Sequence, residues 1–271
     1  MRVALIQMRS GTDIAANLAE AERLIREAAE QGARFIATPE TTHLVQKDAE
    51  KLFEVLQHPD DDAALPFFAK LAKELGIPLL IGSLALRTTG NRAVNRSHLF
   101  GTDGQLIAAY DKAHMFDVGL GQGENYSESA HYDAGNRAVL ANIPGAKLGL
   151  TICYDVRFPY LYRRLAQAGA QIITVPSAFT RPTGKAHWEV LLRARAIETG
   201  SYILAPAQGG LHEDGRNTWG HSMVVDPWGE VDAMLDHDLP GVLLADLDLS
   251  KVETARTRIP SLLHDRELSG P

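Results

Sequence analysis

Three residues of this chain combine types that suit acyl transfer. Cys153, in "GLTICYDVRFP", is the sole cysteine, so it makes no internal disulfide. It ends an apolar run and opens what reads as a helix. Glu40, in "FIATPETT", follows a short apolar strand closed by Pro39, and Lys112, in "AAYDKAHMFD", follows the strand pattern 104–110. A thiol that attacks, a carboxylate that takes its proton and a fixed cation that steadies the tetrahedral oxyanion are the parts a thioester route needs. Each also has a plain alternative: an inert buried cysteine, a solvated loop glutamate, a surface lysine paired with Asp111. Spacing alone does not choose between them.

Position adds two physical expectations. A helix N-terminus next to Cys153 would aim backbone N–H groups at the sulfur, lower the thiol pKa and supply oxyanion donors. A carboxylate at the mouth of a core strand would lose solvation, raising the pKa of Glu40. Histidine is the usual partner of a nucleophilic thiol, and the chain has 10. His114, His187 and His221 read as hydrogen-bonded structural residues, and no spacing picks out a Cys-His-Asn set.

The elements that must carry these residues alternate strand and helix. "RVALIQM" (2–8) is a strand. Asp13 caps a helix with Ile14, Leu18, Ala21, Ile25 and Ala28 on one face, stopped at Gly32. A buried strand (34–38), a helix with Leu65, Phe68, Leu71, Ala72 and Leu75 ending at Gly76, and a strand (77–86) follow. Residues 92–110 read as a hairpin around "GTDG". Residues 111–136 read as a Gly- and Asn-rich loop, long enough to suspect function. A second hairpin turns at "PGAK". Then come a helix (157–168), a strand (171–175), a helix (184–199), a strand (202–206), and a third hairpin in which "WGHSMVVD" and "GVLLADLD" bracket "PWGE". The tail 250–271 reads as a short helix and an arm. With no linker or low-complexity stretch, the whole of 1–271 is expected to be one domain.

"LIREAAEQGARFIATPE" (24–40) and "LYRRLAQAGAQIITVPS" (161–177) share a register of helix, Gly-Ala, apolar strand and Pro. Two such β-α-β halves would pack sheet against sheet with helices outside. The residues after both strands then fall at equivalent ends, where sites in open α/β sheets lie.

Composition narrows the partners. A formal net charge of -7 repels phosphate backbones and anionic lipid, so neither nucleic acid nor membrane is an expected partner. One cysteine excludes a disulfide framework and fits a cytoplasmic setting. The first residues lack a signal-peptide cleavage site, and no apolar run reaches the roughly 18–20 residues of a membrane span.

The motifs "ATPE", "YDKAHMFD" and "GLTICYDVRFP", in this order, resemble those of the nitrilase superfamily of carbon–nitrogen hydrolases, and the resemblance covers the whole chain. It implies a four-layer α-β-β-α sandwich of α/β class and a small-molecule amide substrate. It needs no cofactor or metal, and it implies a homodimer or higher homo-oligomer. It makes Cys153 the nucleophile, Glu40 the general base, and Lys112 with the backbone N–H of Tyr154 the oxyanion holders. "ENYSESAHYDAG" is similar to the family's stretch carrying an auxiliary glutamate, which falls on Glu128, with Glu124 as a rival. The segments 176–210 and "GHSMVVDPWGEV" look most like the branch acting on deaminated glutathione, with the neighbouring omega-amidases on α-ketoglutaramate and α-ketosuccinamate as alternative. The implied reaction is cleavage of a primary amide with ammonia release through a thioester. Arg157 and Arg181 are candidates for holding substrate carboxylates, although Arg157 also reads as structural, and Phe179 and Thr180 are expected to approach Cys153. A different class, a catalytically silent binding protein on this fold, is disfavoured by the intact Glu40, Lys112 and Cys153.

Overall fold

The computed structural model describes residues 1–121 and 124–270, Glu124 by its backbone alone. In chain order the first half contains β1 (Arg2–Gln7), α1 (Ile14–Glu30), β2 (Phe35–Ala37), α2 (Ala49–Val55), α3 (Ala64–Leu75), β3 (Leu79–Arg87), β4 (Ala93–Phe100) and β5 (Leu106–Asp111). A ribbon, β6 (Asp117–Gly121) and β7 (Glu124–Ser127), leads to β8 (Val139–Ile143) and β9 (Ala146–Leu150). Then come α4 (Pro159–Gln167), β10 (Ile172–Thr174), α5 (Arg181–Thr199), β11 (Tyr202–Ala205), β12 (Gly209–Leu211) and β13 (Asn217–Trp219). The chain closes with β14 (Met223–Val225), β15 (Val231–Met234), β16 (Gly241–Asp246) and α6 (Ser250–Arg258).

Two six-stranded sheets form, in the orders β16-β1-β2-β3-β4-β5 and β15-β14-β11-β10-β9-β8. Read from β16 and from β8, their pairings run alike: antiparallel, parallel, parallel, antiparallel, antiparallel. The central strands β2 and β10 are the two that the sequence echo aligns.

Strand alternation explains the layers. Val3 and Leu5 of β1, with Phe35 and Ala37 of β2, pack toward the second sheet against Leu148, Leu150 and Ile172. The intervening Ala4, Ile6 and Ile36 pack outward on Leu24 and Ile25 of α1 and Phe68 of α3. On the far side Leu161 and Leu165 of α4 and Trp188 and Leu192 of α5 cover the second sheet. The order is therefore helix, sheet, sheet, helix, a mixed α/β sandwich of four layers.

Local chemistry sets the ends. Asp13 accepts from the N–H groups of Ala15 and Ala16 to cap α1, and Gly76 closes α3 in the left-handed conformation at φ 64°. Helix α5 starts at Arg181, three residues before the expected 184, with Pro182 in its first turn. The expected helix 157–168 begins at Pro159, and a separate 3-10 turn, Cys153–Arg157, precedes it.

Two expectations are corrected. The "PWGE" turn joins β14 to β15, where the Asp226 N–H donates to the Glu230 carbonyl. "GVLLAD" is β16, which crosses to the other sheet and pairs antiparallel with β1 from Arg2↔Asp246 to Gln7↔Gly241. The sequence reading missed β15 because "VDAM" has too little alternation to read as a strand. Residues 111–136 are not a plain loop either: they hold the ribbon β6–β7, which is mostly exposed and so lacks an apolar face to read. Helix α2, capped by Asp48, was also illegible in the pattern. Among the described residues no helix is long and apolar enough to cross a membrane.

Candidate active site

Glu40, Lys112, Glu128 and Cys153 line one cavity of about 620 Å³. Each comes from a chain segment just past a strand: Glu40 three residues after β2, Lys112 directly after β5, Glu128 directly after β7 and Cys153 three residues after β9. The parallel pairs β1–β2 and β9–β10 bring strand ends together at the same edge of each sheet, and the two sheets stack. Residues more than 100 positions apart thus meet.

The lysine ammonium is the hub. Lys112 Nζ donates to Glu40 Oε1 at 2.9 Å and to Glu128 Oε1 and Oε2 at 2.9 and 2.8 Å. The side chains of Lys112, Glu40 and Glu128 are 2%, 5% and 14% exposed, so this is a nearly dry cluster in which charge is felt strongly. Glu40 is further fixed: Asn95 Nδ2 donates to its Oε1 at 2.9 Å and the Ala178 N–H to its Oε2 at 2.9 Å. The Phe116 N–H donates to Glu128 Oε2 at 2.7 Å.

Cys153 has φ 47°, a left-handed conformation rare for a residue with a side chain, and Thr41, next to Glu40, has φ 53°. Such backbone strain collects at functional sites. The Cys153 N–H donates to the Pro176 carbonyl and the Asp155 N–H to the Ile152 carbonyl. Between them, the Tyr154 N–H has no hydrogen-bond acceptor among the described residues. Asp155, fully buried, braces the turn. One oxygen accepts from the Ile152 N–H and the Tyr110 hydroxyl, and the other from the His114 N–H and ring. Tyr110 and His114 flank Lys112 in sequence, so one carboxylate ties the Lys112 segment to the Cys153 turn.

Electrostatics overturn both positional pKa expectations. Burial is the largest influence on Glu40 and raises its pKa. Lys112, as a charge and as a donor, with Cys153 and Asn95 outweighs it and holds the carboxyl below its usual range. Burial also dominates at Cys153, and the neighbouring Glu40 charge adds to it, so the thiol is pushed well up rather than down. The turn after Cys153 is a five-residue 3-10 helix, too short for the dipole that the sequence suggested. Burial alone would lower Lys112, but Glu128 and Glu40 raise it well above an ordinary lysine. The resting cluster is a neutral thiol beside a carboxylate–ammonium–carboxylate array.

The remaining sequence candidates divide. Tyr154, Phe179 and Thr180 line the cavity with Cys153. Arg157 and Arg181 do not. Arg157 packs over the Tyr154 and Phe179 rings and donates to His187, while Arg181 pairs with Asp238 and lies over Trp219. His114, His187 and His221 are outside the lining, as their structural reading expected. Glu128 is the glutamate on Lys112, and the side chain of Glu124 lies outside the described residues. Sequence reasoning missed Asn95, Lys47 and Arg216, which share the cavity. Asn95 sits in a β-strand with no local signal, and its role follows only from the pairing of β4 with β5.

Known proteins resemble this chain in sequence and fold. The family model described as carbon-nitrogen hydrolase matches residues 2–257. Over 265 residues, 96% of each chain, the sequence is 40% identical to a deaminated glutathione amidase of Synechocystis sp.. The crystal structure of the C. elegans NitFhit protein is similar at a TM-score of 0.91 and 36% identity, covering 98% of this chain and 65% of that one. A mutant of an amidase from Nesterenkonia sp. AN1 is similar at a TM-score of 0.81 and 27% identity, covering 96% and 98% of the two chains. That structure shows acrylamide added at its active-site cysteine.

Proposed function

The chain belongs to the carbon–nitrogen hydrolase family of the nitrilase superfamily, an enzyme family of amidases, and from that premise we propose that it hydrolyses a small carboxylate-bearing amide through a thioester on Cys153. The observation that carries this reading is the Lys112 ammonium held by Glu40 and Glu128 in the cavity that Cys153 lines.

In the proposed reaction the thiol proton passes to Glu40 as sulfur bonds to the amide carbon. The carbonyl electrons move to oxygen, where Lys112 and the Tyr154 N–H hold the charge. Collapse of the tetrahedral intermediate breaks the C–N bond, and protonated Glu40 returns its proton to the leaving nitrogen. Water then attacks the thioester with Glu40 again as base, releasing the acid and regenerating the thiol. Glu128 positions Lys112. A raised thiol pKa fits this scheme, because the proton leaves only as the new bond forms. The thiol supplies the covalent chemistry, so the scheme calls on no cofactor.

Deaminated glutathione is the substrate that the similarity to the Synechocystis sp. protein favours. One correction to the sequence reading follows from its chemistry. Deaminated glutathione has no primary amide: its scissile bond joins an oxoglutaryl group to cysteinylglycine, so the leaving group is that amine and not ammonia. Ammonia would leave instead from a primary amide such as α-ketoglutaramate. A cavity of about 620 Å³ falls within the roughly 300–1,000 Å³ of drug-sized ligand sites, which suits the larger amide.

The test is product release by the purified protein from deaminated glutathione, α-ketoglutaramate, glutamine and a simple nitrile. Preference for deaminated glutathione, read as free cysteinylglycine, supports the reading. Preference for α-ketoglutaramate, read as ammonia, moves the substrate to that of the omega-amidases. Silence on all four favours the non-catalytic alternative. The proposed assembly is a homo-oligomer, supported by apolar side chains left exposed at Tyr160 on α4, Val190 and Ile197 on α5, and Leu263 in the tail. Light scattering that gives a monomer would contradict it.

A further inference from the structure

The cavity lining carries two charged groups of opposite net sign, one buried and one more exposed. In the buried group two carboxylates, Glu40 and Glu128, share the single ammonium of Lys112. A substrate carboxylate placed there meets a net negative charge. Nearer solvent, the lining includes Lys47, from the segment between β2 and α2, and Arg216, from the turn between β12 and β13.

These two segments touch. A Cβ added at Gly215 would lie 3.2 Å from Lys47 Nζ, so the ammonium rests against the residue preceding Arg216. Lys47 has no ion-pair partner among the described residues. Arg216 donates through Nε to Asp214 Oδ2 at 2.7 Å, and the Asp214 side chain is 1% exposed. Neither Nη of Arg216 has a partner among the described residues. Asp214 thus anchors the guanidinium from the protein side and leaves its outer edge unpaired. Burial raises the pKa of the Tyr132 hydroxyl, which also feels Glu128 and Glu40 on one hand and Arg216 and Lys112 on the other.

Two cations on adjoining segments with one carboxylate behind them favour an anion, and an arginine edge with both Nη groups free matches a carboxylate. We propose that Lys47 and Arg216 form the carboxylate subsite of the amide pocket. They hold a substrate carboxylate remote from the scissile bond, while the negative buried group excludes that carboxylate and admits the neutral amide. Orientation thus comes from the field of the cavity, not from Arg157 or Arg181. This inference rests on the amidase reading above and names the residues that give it substrate preference.

The test uses two matched pairs of amides, each differing by one charge: glutaramate against pentanamide, and deaminated glutathione against its methyl ester at the glycine carboxylate. The first pair varies the acyl side and the second the leaving side. Specificity constants are measured for wild type, Lys47→Ala, Arg216→Ala and Arg216→Lys, with a melting curve for each. The wild type is expected to prefer the charged member of at least one pair. Each alanine variant should cut that preference about tenfold to a hundredfold, through KM more than kcat, and Arg216→Lys should restore part of it. The preference should also shrink with added salt, because Lys47 is exposed. A wild-type preference that survives in both alanine variants overturns the subsite and leaves the amidase reading standing. A wild type with no preference in either pair overturns the carboxylate-bearing substrate itself, and the subsite with it.

Discussion

Lys112 Nζ lies 2.9 Å from Glu40 Oε1, with both side chains at most 5% exposed. The pair is a buried contact between segments 72 residues apart in sequence. The Lys112 ammonium lets a buried carboxylate stay ionised beside a thiol that burial keeps protonated. An ionised carboxylate and a protonated thiol are thereby held in one cluster at neutral pH, as the proposed reaction requires.

Removing the Glu40 charge without removing its shape tests that relationship. Glu40→Gln should lower kcat by about 10²–10⁴. It should also make Cys153 more reactive, since the negative charge that raises the thiol is lost while Lys112 remains. The pH midpoint of alkylation by iodoacetamide should move down. An unchanged or higher midpoint would show that Glu40 does not act on the thiol.

The pH dependence has a definite sign. The folded-state pKa of Glu40 is depressed, so its contribution to stability is present above the unfolded carboxylate value and is lost as pH falls through the folded one. The folded-state pKa of Lys112 is raised, so its contribution is complete below the ordinary lysine value and is lost as pH rises through its folded one. From roughly pH 5 to 10 the pair stays charged. The acid limb of kcat/KM should therefore fall below the ordinary carboxylate range, with an acid loss of melting temperature that is smaller in Glu40→Gln. An acid limb centred near 6.5 would instead identify a histidine base.

Lys112→Met leaves two carboxylates facing each other without a cation. Breaking a buried pair from one side costs about 3–5 kcal/mol. The melting temperature should drop on the order of 10 °C, with turnover lost. A variant as stable as wild type would mean that the cluster relaxes into water.

Asp155→Asn should uncouple the two segments that Asp155 joins, because an amide cannot accept from Ile152, Tyr110 and both His114 groups at once. A loss of about 2–4 kcal/mol is expected, with a fall in kcat exceeding that in 1/KM. Wild-type kinetics in a destabilised protein would make Asp155 a purely structural brace.

At Gly82, within β3, segments leading to Glu40 and Cys153 press against the strand backbone. A Cβ there would stand 1.9 Å from the Thr38 carbonyl oxygen, 2.9 Å from that of Pro39 and 2.5 Å from Pro176 Cβ. Thr38 and Pro39 lead into Glu40, and the Pro176 carbonyl accepts from the Cys153 N–H. Gly82→Ala should therefore separate Glu40 from Cys153, lowering kcat at least tenfold at a stability cost of about 1–3 kcal/mol. Unchanged kcat would show that the loops tolerate the shift.

How much of this the sequence carried depended on whether a signal was local. Glu40, Lys112 and Cys153 each end a recognisable strand pattern inside a motif, and the helix-strand echo at 24–40 and 161–177 marked the two central strands. Asn95, Lys47, Arg216 and Ala178 reach the same cavity only through sheet pairing and sheet stacking, which no local pattern encodes. The pKa directions were misread for the same reason. Burial was foreseen at Glu40, but the weight of Lys112 against it depends on a contact made by folding. Strand β16 pairs with β1 across the whole chain, so its neighbour in sequence was mistaken for its neighbour in space.

The central claim is that Cys153 carries the covalent step. The direct measurement is product release by Cys153→Ala beside wild type, on whichever amide the wild type turns over best, with a melting curve to show that the variant is folded. The account predicts a folded variant with release at the level of the protein-free blank. A folded Cys153→Ala protein that releases product at the wild-type rate would contradict it.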